Sequence, residues 1–151
     1  MAAWGTGVPK LYLYDHRGTL RYDIELPDPA RYEQKFEMEK DTQVSVNRKL
    51  IKRLFGFRYK GTFTWEQPDS TSQDAIFTIV NWTGKIRLWP HKEVTQLSYM
   101  VEVTGFEHEN ISGKVAMDRF RVEFTATELL NKVPNPEELY VVKGISNTVI
   151  V

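Results

Sequence analysis

From Phe57 to Trp65 the chain alternates: Phe57, Tyr59, Phe63 and Trp65 share one phase, and Arg58, Lys60, Thr62 and Thr64 the other. A period of two, rich in aromatic and β-branched residues, predicts a half-buried strand. The pattern then changes. Pro68-Asp69-Ser70 stops the strand, and Ser70 with Gln73 has the spacing of a capping box. Ala75, Ile76, Ile79 and Val80 recur at helical intervals, which predicts one amphipathic helix over about residues 70–82. Thr83-Gly84 ends it, glycine being at ease in the left-handed conformation of many helix stops. Ile86 and Leu88 begin another strand closed by Pro90, and Leu97, Tyr99, Val101 and Val103 alternate again. The helix is surrounded by strands.

The same reading extends to both sides. Residues 1–9 are small and Gly-rich and predict a loose arm. Leu11–Tyr14, the turn Asp15-His16-Arg17-Gly18, and Leu20, Tyr22, Ile24 and Leu26 predict a hairpin, with Arg21, Asp23 and Glu25 facing water. Pro27 and Pro29 end it. In the charged stretch that follows, Phe36 and Met38 are the inward residues of a strand, and Val44 and Val46 suggest a further short one. Asn47–Phe55 suits either a short helix or a long hairpin loop. Gly105–Gly113 reads as a polar connection, and Phe120, Val122, Phe124 and Ala126 as a strand. Leu129, Leu130 and Pro134-Asn135-Pro136 mark the end of the core. Beyond them Leu139–Val142 and Thr148–Val151 are apolar and β-prone, which predicts pairing with a sheet of this subunit or a neighbour.

At 151 residues the chain fits one domain, 1–151, with a core that needs no disulfide or metal. It contains no cysteine, which removes thiol chemistry and cysteine metal sites and fits a reducing compartment. Lys plus Arg and Asp plus Glu number 20 each, so total charge does not mark a nucleic-acid binder. The N-terminus does not have the pattern of a signal peptide, and no apolar run approaches the ~20 residues of a membrane span. A soluble product made in the cytoplasm is expected.

Chemistry offers little. His16, His91 and His108 are far apart in sequence and form no His-Glu-x-x-His. Glu107, His108 and Glu109 are adjacent, and adjacent strand residues point to opposite faces, so a solvated loop is a better reading than a metal site. No Gly-x-Ser-x-Gly elbow or phosphate loop is present, and Asp23 and Glu25 lie on a water-facing row rather than across a cleft. The expectation is no enzyme, no cofactor and no metal.

Charge is more informative. Between Thr42 and Trp65 lie six basic residues (Arg48, Lys49, Lys52, Arg53, Arg58, Lys60) and no acid, while Asp23–Asp41 holds seven acids and three basic residues. Three uses are open: nucleic-acid contact with Phe57 or Tyr59 stacking on bases, a solvated loop, or basic and acidic faces meeting across a subunit boundary. Among the tryptophans, Trp65 is expected in the core. Trp82 and Trp89 flank Gly84 and are expected to share a corner of the fold, either packing the helix or holding a sugar ring.

Gly61-Thr62-Phe63-Thr64-Trp65, the helix ending in Asn81-Trp82-Thr83-Gly84, Ile86-Arg87-Leu88-Trp89-Pro90-His91 and Tyr99-Met100-Val101-Glu102-Val103 together resemble the structural proteins of tailed-bacteriophage tails. The resemblance is to the distal tail and tail-tube-like group and covers about Phe57 to Ala126. It implies a mainly β fold, a β-sandwich or rolled β-barrel flanked by one α-helix. It also implies a homo-oligomeric, hexameric ring in the virion tail or baseplate, in contact with other tail proteins. DNA passes the channel of such a ring without sequence-specific binding. Residues 47–55 then correspond to an assembly loop and 131–151 to a C-terminal extension. The expected subunit interface is Arg48, Lys49, Leu50, Ile51, Lys52, Arg53, Val149, Ile150 and Val151. The basic loop suits a subunit contact better than a channel wall, where like-charge repulsion of phosphate eases DNA passage. The competing expectation is a monomeric β-sandwich binding module that holds carbohydrate on Trp82 and Trp89.

Overall fold

A computed structural model describes residues 7–44, 50–111 and 117–134. Seven strands and one helix follow in the order β1 (Lys10–Tyr14), β2 (Leu20–Glu25), β3 (Arg31–Val44), β4 (Leu50–Glu66), α1 (Ser70–Val80), β5 (Lys85–Trp89), β6 (Tyr99–Ile111) and β7 (Met117–Ala126). The strands form a single open sheet, ordered β2-β1-β5-β6-β7-β4-β3, antiparallel at every pairing. The mainly β class with one helix is what the sequence predicts. There is one continuous sheet, not two stacked ones.

That sheet cannot be flat. β2 and β3 are its opposite edges, yet only residues 26–30 join them. Six Cα–Cα steps reach at most about 22 Å, whereas the edges of seven flat strands lie about 29 Å apart. The sheet therefore curls, and its concave side encloses the core. Leu11 and Leu13 of β1, Ile86 and Leu88 of β5, Val101 of β6, Phe120, Val122 and Phe124 of β7, and Tyr59, Phe63 and Trp65 of β4 are all buried there. The alternating rows of the sequence are this inner face. Where β7 stops at Ala126, its small side chain lets Tyr59 and Tyr99 from the flanking strands stack at 4.1 Å and 7°.

α1 lies over part of that face and buries Ile76 and Ile79. Phe77 sits edge-on against Phe106 and Phe120, with centroids 6.1 and 5.5 Å apart. The N-cap is Asp69, one residue before the capping box read from the sequence. Its Oδ1 accepts the Ser72 N–H at 2.8 Å, while the Gln73 amide donates to the Pro68 carbonyl. Asp wins the cap because its short carboxylate reaches the free amides of the first turn and carries favourable charge there. Gly84 has a different job from the predicted one. The helix is capped by Asn81, and Gly84 is not in the left-handed region. A Cβ at Gly84 would overlap the Tyr14 carbonyl and come within 2.8 Å of the Trp82 indole nitrogen.

Several local expectations change. Residues 105–111 are strand, not a connection, because a bulge at Thr104 shifts the side-chain phase. Phe106 then continues the inward row begun by Tyr99, Val101 and Val103. Leu50–Phe55 is likewise strand, part of β4, and a second bulge leaves Phe55 without a partner on β3. Gly56 occupies that bulge at φ 146°, with the Leu130 carbonyl against it. Val44 ends β3 and does not start a separate strand. Met38 is exposed (51%), as are Leu20 and Tyr22 on edge strand β2. Residues 7–9 are not a loose arm. Gly7 and Pro9 are buried, the Lys92 N–H donates to the Val8 carbonyl, and the Leu26 N–H to that of Pro9.

Candidate functional site

The β3–β4 hairpin is the most distinctive surface feature. β4 pairs with β7 only through Lys60–Glu66, and a single bridge joins Phe57 to Leu130. β3 and β4 nonetheless stay paired out to the Val44–Leu50 rung. Beyond the bulge the hairpin is thus a two-stranded arm with no third strand beside it among the described residues. Exposed Phe55 (58%) and Met38 stand at its root. An isolated hairpin is marginally stable in water, so an arm of this kind normally gains its order from a contact.

Of the residues expected at a subunit interface, Leu50, Ile51, Lys52 and Arg53 belong to this arm, on strand β4 opposite Val44, Gln43, Thr42 and Asp41. Arg48, Lys49, Val149, Ile150 and Val151 lie outside the described residues, as do Val46 and the segments 139–142 and 148–151.

The facing acidic and basic runs meet largely within one hairpin. Arg58 forms a bidentate pair with Glu39 (3.0 and 3.2 Å) and also donates to the Ala126 carbonyl at 2.6 Å, tying β3 to the end of β7. Lys60 and Lys35 reach Glu37 at 3.0 and 3.1 Å, and hydrogen bonds from Lys60, then Lys35, hold the Glu37 carboxyl below its ordinary pKa. Arg58 and Lys60 are therefore engaged in the fold. Tyr59 is sealed in the core and offers no stacking surface to a base.

A shallow groove of 480 Å³ crosses the outer face of β3, β4, β7 and β6. Arg31, Arg119 and Arg121 alternate there with Glu33, Glu66, Glu107 and Glu109. Arg119 meets Glu66 at 3.5 Å and Arg121 meets Glu107 at 3.6 Å. Charges that cancel in place attract no anion or cation strongly; such a surface sets register against a complementary one. Glu107 and Glu109 point to this groove, while His108 turns inward and stacks on Phe120 at 4.3 Å. His108 Nε2 lies 3.0 Å from Asp118 Oδ1, which Asn110 also contacts at 2.8 Å; these bonds lower the Asp118 pKa, Asn110 first. Among the described residues no three His, Asp or Glu side chains converge as metal ligands would.

His91 lies in the interior, which no pattern in the residues around it predicts. Its Nδ1 accepts the Gly7 N–H at 2.8 Å, and desolvation lowers its pKa against the opposing pull of Glu93. The ring is thus neutral and pins the chain at Gly7. His16 is exposed in the β1–β2 turn.

Trp82 and Trp89 do not share a corner. They flank β5 at opposite ends, Trp82 donating to the Tyr14 carbonyl and Trp89 to that of Thr95. Trp82 packs on Tyr22 at 5.5 Å, and Trp89 on Tyr12 at 4.7 Å. They therefore present no common platform to one sugar. Trp65 is buried as expected and donates to the Pro27 carbonyl.

No protein-family model and no curated protein sequence matches the chain. Among the described residues no helix is long and apolar enough to cross a membrane.

Proposed function

We propose that this chain is a non-enzymatic structural subunit of a phage tail or baseplate that assembles into a hexameric ring around the tail channel. The observation that carries the reading is the β3–β4 arm, which extends past its last sheet neighbour and exposes Met38 and Phe55 at its root. Apolar surface held out on an arm gains most by burial in an adjacent subunit. A ring requires a heterologous contact, arm to a different surface, and the self-neutralised groove supplies a polar face on which such a contact keeps register.

The test replaces residues 42–52 by Asn-Gly, a two-residue turn suited to a hairpin. The shortened chain stays folded by circular dichroism, while light scattering and negative-stain images show loss of the rings formed by the full chain. Rings that survive the replacement remove the arm from the contact. A full chain that forms no ring at any concentration overturns the assembly reading.

A further inference from the structure

The two edges of the sheet are built differently. β2 is six residues long, with Arg21 left over between the Leu13–Tyr22 and Tyr14–Leu20 rungs, and its next charged residues, Asp23 and Glu25, are both acidic. A short, bulged edge resists pairing. β3 instead keeps unbroken register from Arg31 to Glu39, and among the described residues no strand lies beyond it.

The direction of its main-chain groups follows from the neighbouring strand. Phe57 exchanges main-chain hydrogen bonds with Leu130 at 2.9 and 2.8 Å, and the Gln67 N–H donates to the Asp118 carbonyl at 2.7 Å. Both lie on the β7 side of β4. Because the pleat alternates, Arg58, Lys60, Thr62 and Thr64 bond on the β3 side, opposite Glu37, Lys35, Glu33 and Arg31. Tyr32 and Gln34 therefore turn their N–H and C=O toward the outer edge.

A second copy pairing antiparallel there must match even-numbered positions with even-numbered ones. With the two-fold axis at Gln34, Glu33 faces Lys35 and Arg31 faces Glu37, and each pair occurs twice. Neighbouring registers are worse. An axis at Glu33 sets Arg31 against Lys35, and one at Lys35 sets Glu33 against Glu37. An axis at Phe36 sets Glu33 against Glu39, and one at Tyr32 keeps, among the strand residues, only the Arg31–Glu33 pairs. Arg31, Glu33 and Lys35 are free to exchange partners, since they now form only exposed pairs along their own strand, Arg31–Glu33 and Lys35–Glu37, both at 3.1 Å.

We propose that β3 pairs antiparallel with β3 of a second copy about a two-fold axis at Gln34, joining two sheets edge to edge. The occupant is a second copy because the charge pattern is most fully its own complement in that register, with two kinds of opposite-charge pair and no like-charge one. The contact is isologous and stands apart from the heterologous arm contact of a ring.

The test is sedimentation of the full chain over a concentration series, with Lys35→Glu, Glu33→Lys and the double swap alongside, all checked for folding by circular dichroism. The unaltered chain dimerises. Each single reversal places like charges face to face twice and weakens association about tenfold or more, and the double swap restores it. A dimer indifferent to both single reversals overturns the proposal, as does failure of the double swap to rescue. So does a monomer at every concentration, whether its Tyr32 and Gln34 amides exchange fast or are protected by another segment of the chain. A hexamer whose mass is unchanged by Lys35→Glu overturns this contact and leaves the ring reading standing.

Discussion

Raising the pH should unfold this domain through three phenols packed at its core, two buried and one partly so. Tyr32, Tyr59 and Tyr99 form one cluster: Tyr32 donates to Gln34 Oε1 at 2.9 Å, so Tyr59 donates to the Tyr32 oxygen at 2.8 Å. Tyr99 stacks on Tyr59, and its hydroxyl is buried without a hydrogen bond among the described residues. Burial is the leading cause that pushes all three pKa values well above 10, and Tyr32 raises those of Tyr59 and Tyr99 further. A phenol whose folded pKa exceeds its unfolded one contributes its full stability below pH 10. The contribution is lost as pH rises from 10 toward the folded value. Each such group costs about 1.4 kcal/mol per pH unit in that window, so three cost about 4 kcal/mol per unit. Against a total stability of roughly 10 kcal/mol, folding fails about two to three units above pH 10. Far-ultraviolet circular dichroism and tyrosinate absorbance, followed together, should show phenolate appearing in one step with loss of structure. Tyr99→Phe removes a buried hydroxyl with no partner, and so moves the transition to higher pH without a cost at neutrality. Smooth ionisation of all the tyrosines near pH 10, with the dichroism unchanged, would refute the reasoning.

Three further outcomes check the local arguments. Gly84→Ala forces a methyl group into the Tyr14 carbonyl and the Trp82 indole, and should cost about 3 kcal/mol in urea unfolding. Arg58→Ala removes the link from Glu39 to the Ala126 carbonyl and should cost about 2 kcal/mol; a loss under 0.5 kcal/mol, read on the same scale, would show that the tie is not structural. Asp69→Ala should lower the melting temperature at neutral pH and leave it nearly unchanged in acid. The Ser72 backbone bond holds the Asp69 pKa below its ordinary value, so that cap contributes above the unfolded pKa and is lost as pH falls through the lowered one.

The sequence by itself determined the rows that build the interior. In the central strands, as from Tyr59 to Trp65 or Phe120 to Ala126, the aromatic and aliphatic positions that share one phase are the buried ones. The helix was equally legible, because Ile76 and Ile79 recur at a period no strand uses. Two bulges defeated the same reading. At Thr104 and at Phe55 an extra residue flips the inward phase, so continuous strands look like a polar connection and a loop. Periodicity is a local quantity and loses its meaning where the period slips by one. The tertiary structure alone decided which strands lie side by side, and therefore which charges cancel. Glu37 and Glu39 meet Lys60 and Arg58 because β3 folds back on β4 in one register, a fact that neither run of charge contains. It also decided the edges. β1 and β5 lie between two neighbours and β6, β7 and β4 do so over part of their length, while β3 keeps an open flank along its whole length because no crossover returns to it among the described residues. Pairing between strands distant in sequence is set by the summed burial of the closed core, and no single segment carries that information.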